Sequence, residues 1–281
     1  VMPVGNGSVA FKVMLNVLEV GISYENVVFH DENGAAVGSY NTLTDTQTAG
    51  LVIDSKDNLI LGINGGMTSK LVKTNSIGAE VWAVDLDKTV NKIAISADDS
   101  IVLCAAADED LSLALYSSEG EKLWELGITE IFAGDLESLT MTSLVPDALG
   151  NTHMLLMNGV TPWLLKVNPQ GQLVWQHLYT RAYFDNAISL DVADGVLQVD
   201  NQGNAYALFD RRPSSPESTM NMAEVVKFNS ANGSPRATTH YNFSAGSLLV
   251  DDVDSYYLTG SDCSLTEGQC DFVVMRYGPQ F

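Results

Sequence analysis

Aspartate and asparagine are concentrated in five short polar segments, each of which separates two apolar runs. Their carboxylate and amide oxygens are ligands that Ca²⁺ prefers, and the segment with Asp251, Asp252 and Asp254 is the candidate Ca²⁺ site. The same residue types also close tight turns by bonding to their own backbone. The sequence therefore leaves a calcium site and a purely structural role both open. The five segments are 54–58, 97–100, 147–151, 200–204 and 251–255.

Other catalytic patterns are missing from the sequence. It contains no Gly-x-Ser-x-Gly elbow, no phosphate-binding glycine loop and no His-x-x-x-His pair. The four histidines, His30, His153, His177 and His240, lie far apart without the spacing of metal ligands. We therefore expect no cofactor apart from the Ca²⁺ considered above.

Three cysteines bear on the cellular compartment. Cys263 and Cys270 enclose a short polar segment, a spacing that suits a disulfide across a β-hairpin, although two free thiols remain the alternative. Cys104 lies in an apolar run and is expected to be a buried free cysteine. A disulfide indicates an oxidising compartment, and the chain begins at Val1, which fits a processed or trimmed N-terminus. We expect a periplasmic or secreted protein.

Charge and hydrophobicity restrict the partners. The 281 residues include 14 Lys and Arg against 35 Asp and Glu, a net charge of −21. Nucleic-acid binding requires a basic surface, so this composition argues strongly against it. Hydrophobic residues make up 46% of the chain, enough for a substantial core. Since no apolar run approaches the ~20 residues of a membrane-spanning helix, we expect no transmembrane segment. We also expect the protein to be a monomer.

A repeated pattern organises most of the chain. Six segments share an apolar run, a polar turn and a glycine, and the glycines recur at intervals of roughly 40 to 60 residues, a period typical of β-propellers. Three repeats carry a tryptophan four residues after the glycine, and we expect Trp82, Trp124 and Trp175 to pack between neighbouring sheets. The six segments are 27–34, 71–78, 113–120, 164–171, 225–233 and 273–278.

Five of these hairpins follow a second hairpin, and together the two make a four-stranded antiparallel blade. The sequence predicts an all-β, single-domain propeller over 1–281 with six blades, five or seven being the alternatives. The first blade has outer strands within 25–40 and inner strands from 9–13 and 15–20, unless the N-terminal strand completes the last blade. The other blades are 48–86, 90–127, 140–179, 188–241 and 245–281, the last without an evident fourth strand.

These repeats resemble those of the bacterial β-propeller repeat family of extracytoplasmic proteins. The resemblance rests on segments 165–175, 200–206, 256–260 and 272–277 and covers most of 25–281. Residues 171–175 also resemble the repeat of pyrroloquinoline-quinone-type propellers, but the adjacent-cysteine pattern of those enzymes is missing. The resemblance implies an extracytoplasmic propeller and assigns no activity.

Blade topology points to one candidate binding surface. The connections between strands two and three, and between blades, leave the same face, and every long insertion falls among them. There the sequence places Arg181, Tyr183, Arg211 and Arg212, with Trp163 nearby, as candidate ligand-binding residues, and Phe132 and Phe184 as added apolar surface. The insertions are 126–142, 176–188, 210–223 and 261–271.

Two functions fit this sequence. The first is a binding scaffold that contacts a protein, peptide or glycan through the long-loop face. The alternative is a hydrolase or lyase that acts on a carbohydrate or lactone, assisted by Ca²⁺. The first is favoured because no catalytic constellation is visible, which leaves enzymatic activity open.

Overall fold

The computed structural model describes residues 2–3, 9–17, 22–30, 33–42, 46–65, 68–108, 110–132, 139–159, 161–179, 190–213, 222–251, 255–266 and 269–278. Within these, the side chains of residues 2–26, 190–194, 211–213, 222 and 262–270 are not described. The chain forms two compact units, Val1–Ala133 and Gly134–Phe281. The prediction of a single domain stays a prediction.

The first unit contains three antiparallel four-stranded sheets, in each of which sequential strands are neighbours. Sheet 1 has strands β1 (Met2–Pro3), β2 (Val9–Val17), β3 (Ile22–His30) and β4 (Ala36–Asn41). Sheet 2 has β5 (Gln47–Ile53), β6 (Leu59–Asn64), β7 (Ser69–Thr74) and β8 (Glu80–Leu86). Sheet 3 has β9 (Thr89–Ile95), β10 (Ile101–Ala107), β11 (Asp110–Tyr116) and β12 (Lys122–Gly127). A 3₁₀ helix spans Thr129–Ile131.

The second unit contains two four-stranded sheets and a last sheet of three strands, again with sequential strands as neighbours. Sheet 4 has β13 (Leu139–Pro146), β14 (Thr152–Asn158), β15 (Thr161–Val167) and β16 (Leu173–Leu178). Sheet 5 has β17 (Leu190–Val199), β18 (Ala205–Pro213), β19 (Met222–Phe228) and β20 (Pro235–Tyr241). Sheet 6 has β21 (Ser244–Val250), β22 (Tyr256–Thr266) and β23 (Gln269–Tyr277).

The first sheet differs from its prediction. The two inner strands expected at 9–13 and 15–20 are one strand, β2, because its ladder with β3 runs from the pair Val9–His30 to the pair Val17–Ile22. The N-terminal strand β1 pairs with β2, so it belongs to the first sheet and does not complete the last.

Apolar side chains bury the faces between successive sheets within each unit. In the first unit, Leu59 and Leu61 pack with Val27 of sheet 1, and Leu71 of sheet 2 packs with Leu103 of sheet 3. The second unit has one cluster across sheets 4 and 5 and another across sheets 5 and 6. Successive side chains of a strand point to opposite faces of its sheet. Both faces of a middle strand are therefore buried only when another sheet packs against each face.

Tight turns connect the third and fourth strands of each four-stranded sheet. In the turn after β7, the Gly78 N–H donates to the Asn75 carbonyl, and Gly78 has a φ of +84°. This left-handed conformation is strained for residues with a Cβ atom, which explains why a glycine recurs at this point of the repeat. Among the described residues, no helix is long and apolar enough to cross a membrane.

Candidate ligand-binding edge

Each sheet has two ends of different character. At one end lie the turns between strands one and two and between strands three and four, and we call this end the turn edge. The turns of one edge meet, since Lys73 at the end of β7 contacts Asp54 after β5 at 2.8 Å. Neighbouring sheets also connect here, because the Ser55 N–H and hydroxyl both donate to the Asp99 carboxylate. The opposite end is the loop edge.

The turn-edge aspartates hold buried ion pairs. Asp54 Oδ1 accepts the backbone N–H groups of Lys56 and Asn58, and Oδ2 accepts the Asn58 amide and pairs with Lys73 Nζ. Burial alone would raise the pKa of Asp54, but the hydrogen bonds from Lys73 and Asn58 outweigh it and hold that pKa below its usual range. Both carboxylate oxygens therefore bind groups of the protein itself.

The same pairing recurs in three further sheets and is replaced in one. Sheet 3 has Ser96 in place of the aspartate and Leu115 in place of the lysine, so both partners change together. The other pairs are Asp147–Lys166 at 3.3 Å, Asp200–Lys227 at 3.9 Å and Asp251–Arg276 at 3.8 Å.

A buried histidine joins one of these pairs. His153 is fully buried, and its Nε2 lies 3.2 Å from Asp147 Oδ2. Burial lowers the pKa of His153, so the ring is neutral and donates from Nε2. Burial would raise the pKa of Asp147, but hydrogen bonds from His153 and Asn151 hold it well below its usual range. The Nδ1 atom of His153 has no hydrogen-bond partner among the described residues.

Two tryptophans connect their sheet to the following sheet at this edge, one in each unit. The Trp82 indole N–H and Lys73 Nζ both donate to the Ser118 carbonyl of sheet 3. Trp175 and Lys166 of sheet 4 make the same two bonds to the Ser230 carbonyl of sheet 5. These two tryptophans pack between neighbouring sheets, as the sequence predicts.

The calcium prediction is untested. Asp251 Oδ1 accepts the Ser255 N–H at 2.9 Å, and the Asp251 carboxylate lies near Arg276. Asp252 and Asp254 lie outside the described residues. No group of three or more potential metal ligands occurs in the rest of the described chain.

The loop edge varies from sheet to sheet. Strands β17 and β18 of sheet 5 have 10 and 9 residues, and β22 and β23 of sheet 6 have 11 and 9, whereas those of sheet 2 have 6 or 7. In sheet 5 the ladder between β17 and β18 continues past Asp210 to the pair Leu190–Pro213, and the ladder between β18 and β19 ends at the pair Arg211–Met222. The longest strands therefore extend at this edge.

The predicted binding residues fall in different environments. Arg211 and Arg212, expected in a loop, lie in strand β18, because its ladder with β17 continues to the pair Leu190–Pro213. Trp163 lies in β15, is half-buried and pairs with Leu156 and Leu178. Arg181, Tyr183 and Phe184 lie outside the described residues. Phe132 is buried, so it belongs to the core and adds no exposed surface.

An acidic group that no sequence motif marks lies on β19, near the last pair of the β18–β19 ladder. Glu224 of β19 is 2% exposed, and its Oε1 accepts the Tyr179 hydroxyl at 2.8 Å. His240 Nδ1 lies 3.9 Å from the same oxygen. The Tyr179 ring stacks on Phe209 with centroids 5.2 Å apart. The sequence signal was a lone carboxylate among the apolar residues of β19.

A second carboxylate lies on the neighbouring strand. Asp210 of β18 is buried, and the Ser244 hydroxyl of sheet 6 lies 3.0 and 3.1 Å from its two oxygens. Tyr179 reaches Glu224 from sheet 4, whereas Ser244 reaches Asp210 from sheet 6. The base of the hairpin is thus held by hydroxyl groups from the sheets before and after it.

A small cleft in the first unit carries a separate charged cluster. Lys88 Nζ donates to Ser112 Oγ at 3.0 Å and pairs with Glu125 at 2.7 Å, and Lys122 binds the same carboxylate at 2.8 Å. The lysines lower the pKa of Glu125 to about 2. An ammonium group held between a carboxylate and a hydroxyl acts as a donor, so Lys88 does not fit the role of a base toward Ser112.

Cys104 is a buried free cysteine, as expected, and burial raises the pKa of its thiol to about 12. Cys263 and Cys270 lie in the adjacent strands β22 and β23, next to the paired residues Asp262 and Asp271. Their side chains are outside the described set, so the disulfide stays a prediction.

Comparison with known proteins supports the fold. No family model matches the sequence, and no curated protein is similar to it. The β-propeller domain of the Trilobed protease from Pyrococcus furiosus aligns with a TM-score of 0.55 at 10% identity, over 96% of this chain and 78% of that one. A protein of unknown function from Bacteroides caccae gives a TM-score of 0.54 at 11% identity, over 90% and 86% of the two chains.

A member of the DUF4221 family from Bacteroides vulgatus aligns with a TM-score of 0.51 at 12% identity, over 99% of this chain and 96% of that one. Identities this low show the fold alone. The predicted all-β propeller class, built from six antiparallel sheets, is therefore confirmed.

Proposed function

We propose that this protein is an extracytoplasmic propeller-type scaffold that binds a protein, peptide or glycan through the loop edge of its second unit. The observation that carries the proposal is the difference between the two edges. At the turn edge, the repeated aspartates bind lysines, asparagines and backbone groups of the protein itself. At the loop edge, strand length and side-chain chemistry differ from sheet to sheet, as expected of a surface that binds a ligand.

Arginine content supports an anionic group on the ligand. The chain has 14 basic residues against 35 acidic ones, yet two arginines are consecutive in the extended part of β18, and Arg181 belongs to the connection that follows sheet 4. A guanidinium group binds carboxylates through two parallel hydrogen bonds. We infer that Arg211 and Arg212 bind carboxylate or similar anionic groups of the ligand.

The test uses two anionic probes, hexagalacturonate as an acidic glycan and hexaglutamate as an acidic peptide, in isothermal titration calorimetry. We expect one of them to bind, and Arg211→Ala/Arg212→Ala to weaken binding at least about tenfold, since each lost charged hydrogen bond is worth about 1.5–3 kcal/mol. The matched control is Lys56→Ala/Arg236→Ala, which removes two exposed cations at the turn edge. Binding of neither probe, or equal loss in both double variants, would contradict the proposal.

We also propose an oxidising location, based on a disulfide between Cys263 and Cys270. The pair Asp262–Asp271 brings the backbones of the two cysteines to neighbouring positions on adjacent antiparallel strands. Alkylation of the unreduced, denatured protein should label one thiol, that of Cys104, and alkylation after reduction should label three. Three labelled thiols without reduction, in protein purified from its native host, would refute the disulfide.

A further inference from the structure

Each of the two buried carboxylates of sheet 5 accepts a hydrogen bond from a hydroxyl group outside that sheet. Tyr179 donates to Glu224 on one side of the sheet, and Ser244 donates to Asp210 on the other. Tyr179 is fixed further, because its backbone N–H donates to the Pro162 carbonyl at 3.0 Å and its ring stacks on Phe209. We call these two pairs, Tyr179–Glu224 and Ser244–Asp210, the two-sided clamp.

Equivalent positions in other sheets show that the clamp is particular to sheet 5 among sheets 2 to 5. The position of Glu224, which pairs with the fifth residue of the second strand, holds Lys70, Ser112 and Trp163. The position of Asp210, the sixth residue of that strand, holds Asn64, Ala106 and Met157. The blade architecture therefore does not require a carboxylate at either position.

Burying a carboxylate is unfavourable unless hydrogen bonds compensate for the lost water. A hydroxyl–carboxylate bond compensates only in one geometry, so it fixes position more strictly than apolar packing does. In β18 the clamp acts next to the proposed binding residues, because Arg211 directly follows Asp210 and pairs with Met222, two residues before Glu224. The clamped residues therefore lie next to Arg211–Met222, the last pair of the β18–β19 ladder.

We propose that Glu224 and Asp210 are positioning residues, which hold the extended hairpin of sheet 5 in one register and orientation for ligand binding. The inference rests on the proposed function, because the hairpin carries Arg211 and Arg212. The carboxylates act through the backbone of β18 and β19. Tyr179 and Ser244 supply the donors, so removal of either hydroxyl should loosen the same hairpin.

Hydrogen exchange measured by mass spectrometry tests the clamp without any ligand. The double variant Tyr179→Phe/Ser244→Ala removes both hydroxyl donors and keeps the aromatic ring at position 179 and the strands. We expect the amides of Asp210, Arg211 and Ala223 to exchange roughly tenfold faster, the effect of losing about one charged hydrogen bond to local opening. Amides of the β14–β15 hairpin in sheet 4 should not change. A uniform increase over both hairpins would indicate a general loss of stability and would overturn the proposal.

Conservative replacement separates hydrogen bonding from charge. Glu224→Gln keeps an acceptor for the Tyr179 hydroxyl and should retain wild-type exchange, whereas Glu224→Leu should match Tyr179→Phe. The matched control is Lys70→Leu, the equivalent position of sheet 2. If Glu224→Leu leaves exchange at wild-type rates in a folded protein, the clamp is wrong.

Binding of hexagalacturonate or hexaglutamate distinguishes the two proposals. If Arg211→Ala/Arg212→Ala abolishes probe binding and Tyr179→Phe/Ser244→Ala leaves it unchanged, the proposed function stands and the positioning role fails. If the wild type binds neither probe but the clamp variant speeds amide exchange in the β18–β19 hairpin, the proposed function fails and the positioning role stands. Support for both requires at least about a fivefold loss of affinity in the clamp variant.

Discussion

Replacement of Lys73 by leucine should strongly destabilise the first unit. Lys73 Nζ lies 2.8 Å from Asp54 Oδ2, and the two side chains are 7% and 1% exposed. Removing the lysine leaves a buried carboxylate without its cation, which costs about 3–5 kcal/mol. The Ser118 carbonyl also loses one of its two donors, a further cost of about 1 kcal/mol. The free energy of unfolding of a typical domain is about 5–15 kcal/mol, so this loss is a large part of the stability.

The protein supplies its own control for this prediction. Sheet 3 has Ser96 and Leu115 at the positions of Asp54 and Lys73, and the Ser96 hydroxyl lies 2.6 Å from Asp98 Oδ1 and 2.9 Å from the Ser100 carbonyl. The double variant Asp54→Ser/Lys73→Leu places the same two residue types in sheet 2, where Lys56 stands at the position of Asp98. It leaves no buried charge but removes the carboxylate that accepts the Lys56 and Asn58 N–H groups and the Asn58 amide, so we expect it to cost about 3 kcal/mol, at about 1 kcal/mol for each lost hydrogen bond. The double variant should therefore be more stable than the Lys73→Leu single variant, an unusual order for added substitutions.

Urea unfolding followed by tryptophan fluorescence measures both variants, with Trp82 adjacent to the substituted pair in the β7–β8 ladder. If Lys73→Leu unfolds within about 0.5 kcal/mol of the wild type, an amount typical of exposed pairs, then the buried ion pair is not stabilising. If the double variant is less stable than Lys73→Leu, then the uncompensated carboxylate is not the cause of the loss. Either result would refute the reasoning.

Three further predictions concern packing and pH. Gly233→Ala should lower the melting temperature more than Gly34→Ala, because both glycines have positive φ but a Cβ at Gly233 would lie 2.4 Å from the Trp175 ring and one at Gly34 would contact nothing. His153→Ile should reduce the stability loss of the wild type between pH 7.5 and 5 in thermal unfolding, and the remainder should come from His177, whose pKa burial also lowers. The reason is that burial lowers the pKa of His153, so the unfolded state binds a proton below about pH 6.5 that the native state does not. Glu125→Gln should remove a stability loss seen in urea unfolding as pH falls from about 4.5 toward 2, since the native carboxylate, with a pKa of about 2, stays charged where the unfolded one takes up a proton. Equal effects of the two glycine variants, or an unchanged pH dependence in either of the others, would contradict these predictions.

Much of the fold was predictable because its signals are local. Gly78 and its equivalents mark turns that need a left-handed residue, and apolar alternation marks the strands on either side. The turn aspartates were also recognisable, since Asp54, Asp147 and Asp200 each accept N–H groups two and four residues further along. What local pattern could not show was that Asp54 is also half of an ion pair with Lys73, 19 residues away.

The clamp residues were harder to find from the sequence. Tyr179 and Glu224 are 45 residues apart, and in a chain with 35 acidic residues a carboxylate attracts attention only when its burial is known. A usable signal existed, because Glu224 interrupts the apolar run of β19 and Asp210 directly follows the buried Phe209. A charge in the middle strand of a blade predicts a buried group with a specific partner.

Equivalent positions in different sheets distinguish residues that stabilise every blade from residues that serve a further role. The turn-edge position of Lys73 holds Lys166, Lys227 and Arg276 in other sheets, and in sheet 3, where it holds Leu115, the acidic partner is also gone. Such paired change is expected of an interaction that stabilises each blade. The loop-edge position of Glu224 instead changes its chemistry in every sheet from 2 to 5, where it holds Lys70, Ser112, Trp163 and Glu224. Glu224 is a buried charge that the blade does not require, and it lies near two of the few arginines of the chain. A requirement on the position of the β18–β19 hairpin explains it, and ligand binding would impose that requirement.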